Sequence, residues 1–396
     1  MKLIKSSLVS ALLMSTSAFA FENIKTSGDA RFYYYADDTG KALFNKDTAR
    51  GQATVGLGLS ADIQEGVRAN ANLTVLSTLG LQGQLISKGW ETTNATDDSY
   101  WMDTLNISAD VGKTNATVGR MTLDTPLLWT ETWSAAYNTF EAAVVRNNDL
   151  ADTTIIAAYI GGSNGAIENG DPGWVIANMN TKGNTNFSKF HDGAYIGGII
   201  NKSLKSLTLQ AWYYNVVNYL SDVWVQADYE MDGIILGAQY TGGTNMSGTS
   251  NINTNAYALK LGYAMEDTFS LTVSYSQTGK NKSTGGKDLS AKNLSGEGYT
   301  KLYTESYWTA IAGSQDMQTV NVTANVPVAN LFDFSVYYVN ASDTTKNRLI
   351  ETTFELAKSY GNLDTTLVYA HRDPKGTLKA SDPAKAVVLA SLKYNF

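Results

Sequence analysis

Apolar and polar residues alternate one by one along most of this chain, and this period of two restricts its fold more than any other feature. Between Gly51 and Ile63 one set of alternate positions is apolar: Ala53, Val55, Leu57, Leu59 and Ala61. The positions between them are small or polar: Gln52, Thr54, Gly56, Gly58 and Ser60. Successive side chains of a β-strand point to opposite faces of the sheet. Each such segment is therefore predicted to be a strand with one apolar and one polar face.

The alternation recurs in about 18 segments, and the links between them differ regularly in length. Two-residue links such as Gln64-Glu65, Gly112-Lys113 and Glu266-Asp267 alternate with long polar links, which include residues 77–98, 122–138, 163–189 and 280–314. The five prolines lie outside the centres of the segments, where a missing N–H would interrupt a hydrogen-bonded ladder. The regular alternation of short and long links predicts an all-β chain of antiparallel strands.

The environment of the apolar face decides the class of all-β fold. A soluble secreted sandwich or barrel, which would bury that face in a core, remains an alternative. However, no helical pattern is available to cover the apolar faces, and tyrosines gather near segment ends, as in Tyr33–Tyr35. Aromatic girdles at the two membrane interfaces are typical of outer-membrane barrels. We therefore expect a transmembrane antiparallel β-barrel, with apolar residues toward lipid and polar residues toward water inside.

The N-terminus has the three parts of a secretory signal peptide. Lys2 and Lys5 are basic, the stretch from Leu8 to Met14 is apolar, and Ala18-Phe19-Ala20 has the small-x-small pattern of a cleavage site. A transmembrane anchor is the alternative, although it needs a longer apolar core. We predict a signal peptide over residues 1–20 and one barrel domain over residues 21–396, located in a bacterial outer membrane.

The C-terminal strand carries the same alternation up to the last residue. Phe396, Tyr394 and Leu392 alternate with Asn395 and Lys393. A terminal aromatic residue preceded by apolar residues at every second position resembles the signal that the bacterial outer-membrane assembly machinery reads. We therefore expect this machinery and outer-membrane lipid to be partners of the chain.

An 18-stranded barrel is too wide for its own side chains to fill. Strands about 4.8 Å apart and tilted by about 40° close into a backbone cylinder roughly 36 Å across. The strand pattern begins within a few residues of Phe21, so we expect no separate plug domain before it. A loop folded into the lumen is the simplest way to narrow such a pore.

One long link carries a family resemblance. Gly119-Arg120, Leu123, Thr125-Pro126 and the segment Asn138–Val144 form an arrangement that resembles the third-loop region of epsilonproteobacterial major outer membrane porins. These proteins are grouped with the broader OprD-type 18-stranded channels. Ala136-Tyr137 departs from the pattern, which has a proline before the Asn-Thr-Phe segment. The resemblance implies a water-filled, trimeric diffusion pore whose third extracellular loop folds into the lumen and forms the constriction.

Seven charged residues are candidates for the constriction and for contact with permeants. The alternation places Arg31, Arg50 and Arg68 on the polar face, and the resemblance implies a basic ladder there, opposed by acidic loop residues. Asp124 and Glu131 would supply that opposing negative field. Arg120 and Arg146 flank the loop with ambiguous facing, since Arg120 follows the apolar parity of its segment. Each of the seven could instead be a solvated wall charge.

Other classes of function find little support. The chain has no cysteine and a net charge of −7, which argue against thiolate chemistry and a nucleic-acid partner. Its two histidines, His191 and His371, lie at predicted strand ends and are interpreted as surface or girdle residues. No serine elbow accompanies His371, so we expect no enzyme and no cofactor. The links at residues 242–253 and 280–300 are rich in Gly, Ser and Asn and are interpreted as flexible exterior loops. A calcium ion held by carboxylates at a trimer interface remains undecided.

The expected function is passive diffusion of small hydrophilic solutes and ions, with cations preferred because the chain and its third loop are acidic. The arginine cluster favours a different channel, one that prefers amino acids, peptides or organic acids. A surface adhesin or receptor that uses the long loops is a further alternative. All three leave the natural solute undetermined.

Overall fold

The fold is taken from a computed structural model, which describes residues 21–39, 42–87, 99–132, 135–164, 187–245, 252–280, 291–295, 298–376 and 386–396. Among these residues no helix has the length and apolarity to span a membrane. The predicted signal peptide, residues 1–20, lies outside the described part of the chain.

The described residues form 18 β-strands, the number that the alternation predicts. In chain order they are β1 (Glu22–Asp37), β2 (Arg50–Gln64), β3 (Val67–Ser77), β4 (Ser99–Val111), β5 (Thr114–Met121), β6 (Phe140–Asn147), β7 (Thr153–Ser163), β8 (Ser188–Asn201), β9 (Leu207–Val216), β10 (Leu220–Met231), β11 (Ile234–Asn245), β12 (Ile252–Met265), β13 (Phe269–Thr278), β14 (Gln318–Val328), β15 (Phe332–Ser342), β16 (Arg348–Tyr360), β17 (Leu363–Lys375) and β18 (Ala386–Asn395).

The strands close into one antiparallel barrel. Each strand pairs with its neighbours in sequence, and β1 also pairs with β18 from Asp29 opposite Asn395 to Asp37 opposite Val387. Beyond this register the two ends of the chain remain joined, because Gly28 and Phe396 exchange two backbone hydrogen bonds of 2.7 and 2.8 Å. Closure removes the free sheet edges, so every strand has a partner on both sides. The predicted all-β antiparallel barrel is confirmed.

The two faces of the wall differ as the alternation predicts. On the outer face, apolar side chains are left uncovered, and Leu259 and Leu261 of β12 are 55% and 61% exposed. On the inner face, polar side chains such as Thr54 and Gln52 of β2 are almost fully buried. An apolar belt thus surrounds a polar interior.

Short links join the strands at one end of the barrel. The β10–β11 link is Asp232-Gly233, and both residues have positive φ, 53° and 82°. Two positive φ values in a two-residue link define a type I′ turn, whose twist matches that of antiparallel strands and which favours Asp-Gly. The long links lie at the other end, together with two shorter ones, the three residues 217–219 between β9 and β10 and the five residues 343–347 between β15 and β16.

Two of the links at that end define the interior. The third loop (residues 122–139) joins β5 to β6, and the seventh loop (residues 279–317) joins β13 to β14. Leu127 and Leu128 of the third loop and Leu294 and Leu302 of the seventh pack in one cluster with wall residues such as Phe140 and Trp224. The main apolar core therefore lies between loops and wall, where burial removes these side chains from water.

This packing corrects one expectation. The link at residues 280–300 is predicted to be a flexible exterior loop, yet Ala291, Asn293, Leu294, Ser295 and Thr300 are buried. The composition of residues 280–290 indicates an exterior loop, but most of them lie outside the described residues. The segment that follows carries apolar side chains into the core, so the prediction is wrong for the described part of that range.

Candidate functional site

The third loop contacts the polar face of the wall at widely separated strands. The carbonyl oxygen of Ala135 accepts hydrogen bonds from Arg31 Nη1 on β1 and Thr54 Oγ1 on β2, at 3.1 and 3.2 Å. At its other end, Leu127 N donates to Tyr214 OH on β9 over 3.2 Å. The loop is rooted between β5 and β6, so these bonds fix it to the wall on both sides of its root.

The Thr-Pro motif shapes the tip of the third loop. Thr125 N and Thr125 Oγ1 both donate to the carbonyl of Leu128, at 3.1 and 2.6 Å. Thr130 N donates to Leu123 O over 2.8 Å, which extends the tip into a small hairpin. Pro126 follows Thr125 at the reversal, where its fixed φ favours a turn and its missing N–H costs nothing.

A seam of hydrogen bonds joins the third loop to the seventh. Leu294 N donates to Leu127 O over 2.8 Å. Asn293 Nδ2 donates both to Trp129 O and to Glu131 Oε1, at 3.1 and 2.7 Å. These groups are buried and paired, so the seam satisfies polar atoms that would otherwise be costly inside the barrel.

The seventh loop is tied to the far side of the wall. Tyr303 OH donates to Asp228 Oδ1 on β10 over 2.6 Å. On β16, Glu351 accepts from Trp308 N at 2.8 Å and from the amide and hydroxyl of Thr309 at 3.1 and 2.8 Å. The Trp308 ring stacks on Tyr35 of β1 with centroids 5.1 Å apart. The loop therefore runs along the polar face from β10 to β1.

A cavity of about 490 Å³ lies between the two loops and the wall. Its lining combines aromatic rings, hydroxyls, two carboxylates and one ammonium group. The residues are Tyr33, Trp129, Glu131, Thr132, Tyr299, Thr300, Lys301, Ser306, Tyr307, Trp308, Glu355, Thr366, Leu389 and Ser391. This cavity, here called the loop cavity, is the candidate functional site.

The charged groups of the loop cavity differ in their partners, which are an opposite charge, an amide or hydroxyl groups. Lys301 Nζ forms an ion pair with Asp124, whose side chain is 86% exposed, and lies 5.2 Å from the centroid of the Trp129 ring. Glu131 is buried, and this burial raises the pKa of its carboxyl, while the hydrogen bond from Asn293 opposes the rise. Glu355 on β16 accepts hydrogen bonds from Tyr307 OH at 2.6 Å and Tyr337 OH at 3.3 Å.

Glu305 is a further carboxyl of the seventh loop. Part of its surface reaches solvent, but protein surrounds the carboxyl group, and desolvation raises its pKa to about 8. Backbone N–H groups of Ser306, Thr300 and Ile311 donate to it at 2.9, 2.7 and 3.4 Å and oppose that rise. The carboxyl holds together the turn from which Tyr307 and Trp308 project.

The structure brings three of the seven predicted residues to this region. Asp124 and Glu131 meet the seventh loop as described. Arg31 forms an ion pair of 2.5 Å with Asp29 and lies 3.9 Å from the centroid of the Tyr137 ring. Arg31 therefore supports the third loop, and its role toward permeants stays a prediction.

The other four predicted residues lie elsewhere on the barrel. Arg50 begins β2 at the long-loop end, 5.7 Å from the Tyr35 ring centroid. Arg68 is near the short-link end and pairs with Asp62 at 2.7 Å. Arg146, also at that end, is exposed. The structure does not group these three around the loop cavity.

Arg120 lies on the outer face. It is directly opposite Leu105, which is 54% exposed, and residues directly opposite in an antiparallel pair share a face. Gly119 has a φ of 125°, but the register of β5 does not shift there. The guanidinium pairs with Glu141 at 3.0 Å and lies 3.8 Å from the Phe187 ring centroid, so the structure separates it from the loop cavity.

Sequence reasoning missed the contribution of the seventh loop and of β16. Lys301, Tyr307 and Trp308 lie in a long link, and Glu355 alternates with apolar neighbours like many other wall residues. The aromatic content of the seventh loop could have indicated that it is buried. The segment from Tyr299 to Trp308 holds four aromatic residues, an unusual number for a solvated loop.

No family model matches the sequence, and no curated protein matches it either. Solved structures are nevertheless similar over nearly the whole chain. OccAB1 of Acinetobacter baumannii superposes with a TM-score of 0.73 at 12% identity, covering 95% of this chain and 97% of that one. A BenF-like porin of Pseudomonas fluorescens gives 0.71 at 13% identity, covering 95% and 99%. OccK2 (OpdF) of Pseudomonas aeruginosa, solved with glucuronate, gives 0.68 at 13% identity, covering 94% and 96%. These likenesses establish the 18-stranded barrel fold.

Proposed function

We propose that this protein is an outer-membrane porin, a passive channel for small hydrophilic solutes and ions rather than an enzyme. The observation that carries the proposal is a closed barrel with an apolar outer belt around a cavity of about 490 Å³ that is lined by hydroxyls, charged groups and aromatic rings. In a bilayer such a wall satisfies its backbone internally, presents apolar side chains to lipid and keeps water inside. The similarity of the fold to solved structures that include a BenF-like porin supports the proposed function.

The proposal includes the location and the partners. The signal-like residues 1–20 and the aromatic C-terminal residue Phe396 support export and recognition by the outer-membrane assembly machinery. Outer-membrane lipid is the partner of the apolar belt. A homotrimer follows from the family resemblance of the third-loop motif.

The third loop narrows the lumen in this proposal, together with the seventh. Its bonds to Arg31, Thr54 and Tyr214 all involve side chains of the wall, and its seam with the seventh loop leaves the loop cavity as the space between them. We assign the constriction to Asp124, Glu131, Lys301 and Glu355. Arg31, Arg50, Arg68 and Arg146 stay candidates for the rest of the pathway, whereas Arg120, on the outer face, does not.

A preference for cations is the proposed selectivity. Glu131 and Glu355 line the loop cavity, and the positive charge of Lys301 is offset by Asp124. A net negative field at a narrow point favours entry of cations.

A substrate-preferring channel is the second candidate function. The loop cavity falls within the size range of small-molecule pockets, about 300–1,000 Å³, and OccK2, which shares the fold, is solved with glucuronate. A preference of this kind would appear as saturable inhibition of ion current by one solute.

Recordings in planar lipid bilayers test the proposal. The refolded protein should give steady conductance steps, and a salt gradient should give a reversal potential skewed toward cations. The double variant Asp124→Asn, Glu131→Gln should lower that skew, because it frees Lys301 and removes a lining carboxyl. Folded protein without conductance would overturn the channel function, and an unchanged reversal potential in the variant would show that the third loop does not set selectivity.

A further inference from the structure

We propose that the loop cavity is a binding subsite for organic cations and that the Glu355 carboxylate recognises them. The inference rests on the proposed channel function and names the class of solute that the constriction retains. It assigns the recognition of these solutes to a strand residue, in addition to the carboxylates of the third loop that favour small cations.

Glu355 is positioned as a ligand group. It lies on the inner face of β16, because Phe354 before it is 39% exposed on the outside. Tyr307 OH and Tyr337 OH each donate to a different oxygen of its carboxylate. Two hydroxyl donors orient the carboxylate and leave further acceptor positions on both oxygens. Among the described residues, no lysine or arginine forms an ion pair with it.

The remaining charges of the cavity do not cancel that carboxylate. Lys301 is paired with Asp124 and lies against Trp129. Glu131 is committed to Asn293 in the seam, at 2.7 Å. A charged solute that enters the cavity therefore meets Glu355 as the carboxylate with free acceptor capacity, and an anionic solute meets repulsion.

Aromatic faces complete the site. Tyr33, Trp129, Tyr299, Tyr307 and Trp308 line the cavity with Glu355. A ring face attracts a cation, and an aromatic cage beside a carboxylate is suited to a substituted ammonium. Rings inside this barrel already accept cations, since Arg31 lies over Tyr137 and Lys260 over Tyr303. The cavity volume of about 490 Å³ is large enough for a small organic ion.

The test compares two aromatic ions of opposite charge in single-channel recordings. Benzyltrimethylammonium should interrupt the potassium current of the wild-type channel in a saturable manner, and benzoate should not. Glu355→Gln should weaken the inhibition about tenfold, the effect of losing one close charge, whereas Glu355→Asp should retain most of it. Glu266→Gln is the matched control, because this exposed residue lies in the β12–β13 link and the same change should leave inhibition unaltered.

The possible outcomes separate a failure of the cation subsite from a failure of the channel function. Conductance with no inhibition by benzyltrimethylammonium, equal inhibition by benzoate, or unchanged inhibition in Glu355→Gln would overturn the cation subsite and leave the channel in place. Absence of conductance in folded wild-type protein would overturn the channel function itself. The comparison of the two ions on the wild-type channel decides the proposal even where Glu355→Gln fails to fold.

Discussion

Gly28 and Phe396 show at the scale of single residues how the barrel closes. Their backbones exchange two hydrogen bonds, and the Phe396 ring occupies the space that a Cβ at Gly28 would need. A side chain there must displace the ring or separate the strands. The terminal Phe396, which the sequence predicts to be an assembly signal, thus also packs at the junction between the first and last strands.

Gly28→Val should therefore impair closure. We expect a loss of stability of about 1–3 kcal/mol, the usual cost of inserting a larger side chain into an occupied site. The fraction of protein that migrates as the folded form in unheated gel electrophoresis measures it. Gly197→Val is the control, because a Cβ at Gly197 on β8 meets no atom within 4 Å. Equal folding of the two variants would contradict the proposed role of Gly28.

Parity along a strand predicts the face of a residue but not its partner. The alternation places Arg31 on the polar face, and the structure agrees, but the bond from Arg31 to Ala135 joins residues 104 apart in sequence. Glu355 likewise has a predictable face, whereas its partner Tyr307 comes from a different link. Such contacts depend on how the loops fold, which no local pattern encodes.

Among the elements, the sequence predicts the strands and the third loop, but not the buried position of the seventh loop. The alternation, bounded by polar links, predicts β4 over residues 99–111, and the structure has Ser99–Val111. The third loop was recognised from its Thr-Pro and Asn-Thr-Phe motifs. The seventh loop was missed, because a polar stretch in residues 280–290 masked the apolar and aromatic residues that follow it.

The seam between these loops predicts a specific cross-link. The chain has no cysteine, so Asp124→Cys and Lys301→Cys introduce the only thiols at the ends of the ion pair that joins the loops. A short bismaleimide should link them within one chain, and proteolysis between the two positions should then fail to separate the fragments. Asp124→Cys with Lys280→Cys is the control, since Lys280 is exposed at the start of the seventh loop. Similar cross-linking of both pairs, or of neither, would contradict the seam.

For the whole molecule, the alternation of apolar and polar residues along every strand determines the architecture. Alternation supplies an apolar outer face and a polar inner face, closure between β1 and β18 removes the edges, and 18 strands leave a lumen that side chains of the wall cannot fill. The third and seventh loops contribute Leu127, Leu128, Leu294 and Leu302 to the main cluster of buried apolar side chains, whose other members are mostly wall residues. We propose that these loops, rather than the wall, determine how wide the pathway is.

The most direct test is the single-channel conductance of a variant in which residues 298–312 are replaced by a short glycine link. This change removes Lys301, Tyr307 and Trp308 from the cavity while leaving all 18 strands unaltered. We expect a folded barrel whose conductance is several-fold higher than that of the wild type, because the lumen is wider. A folded variant with the conductance of the wild type would contradict it.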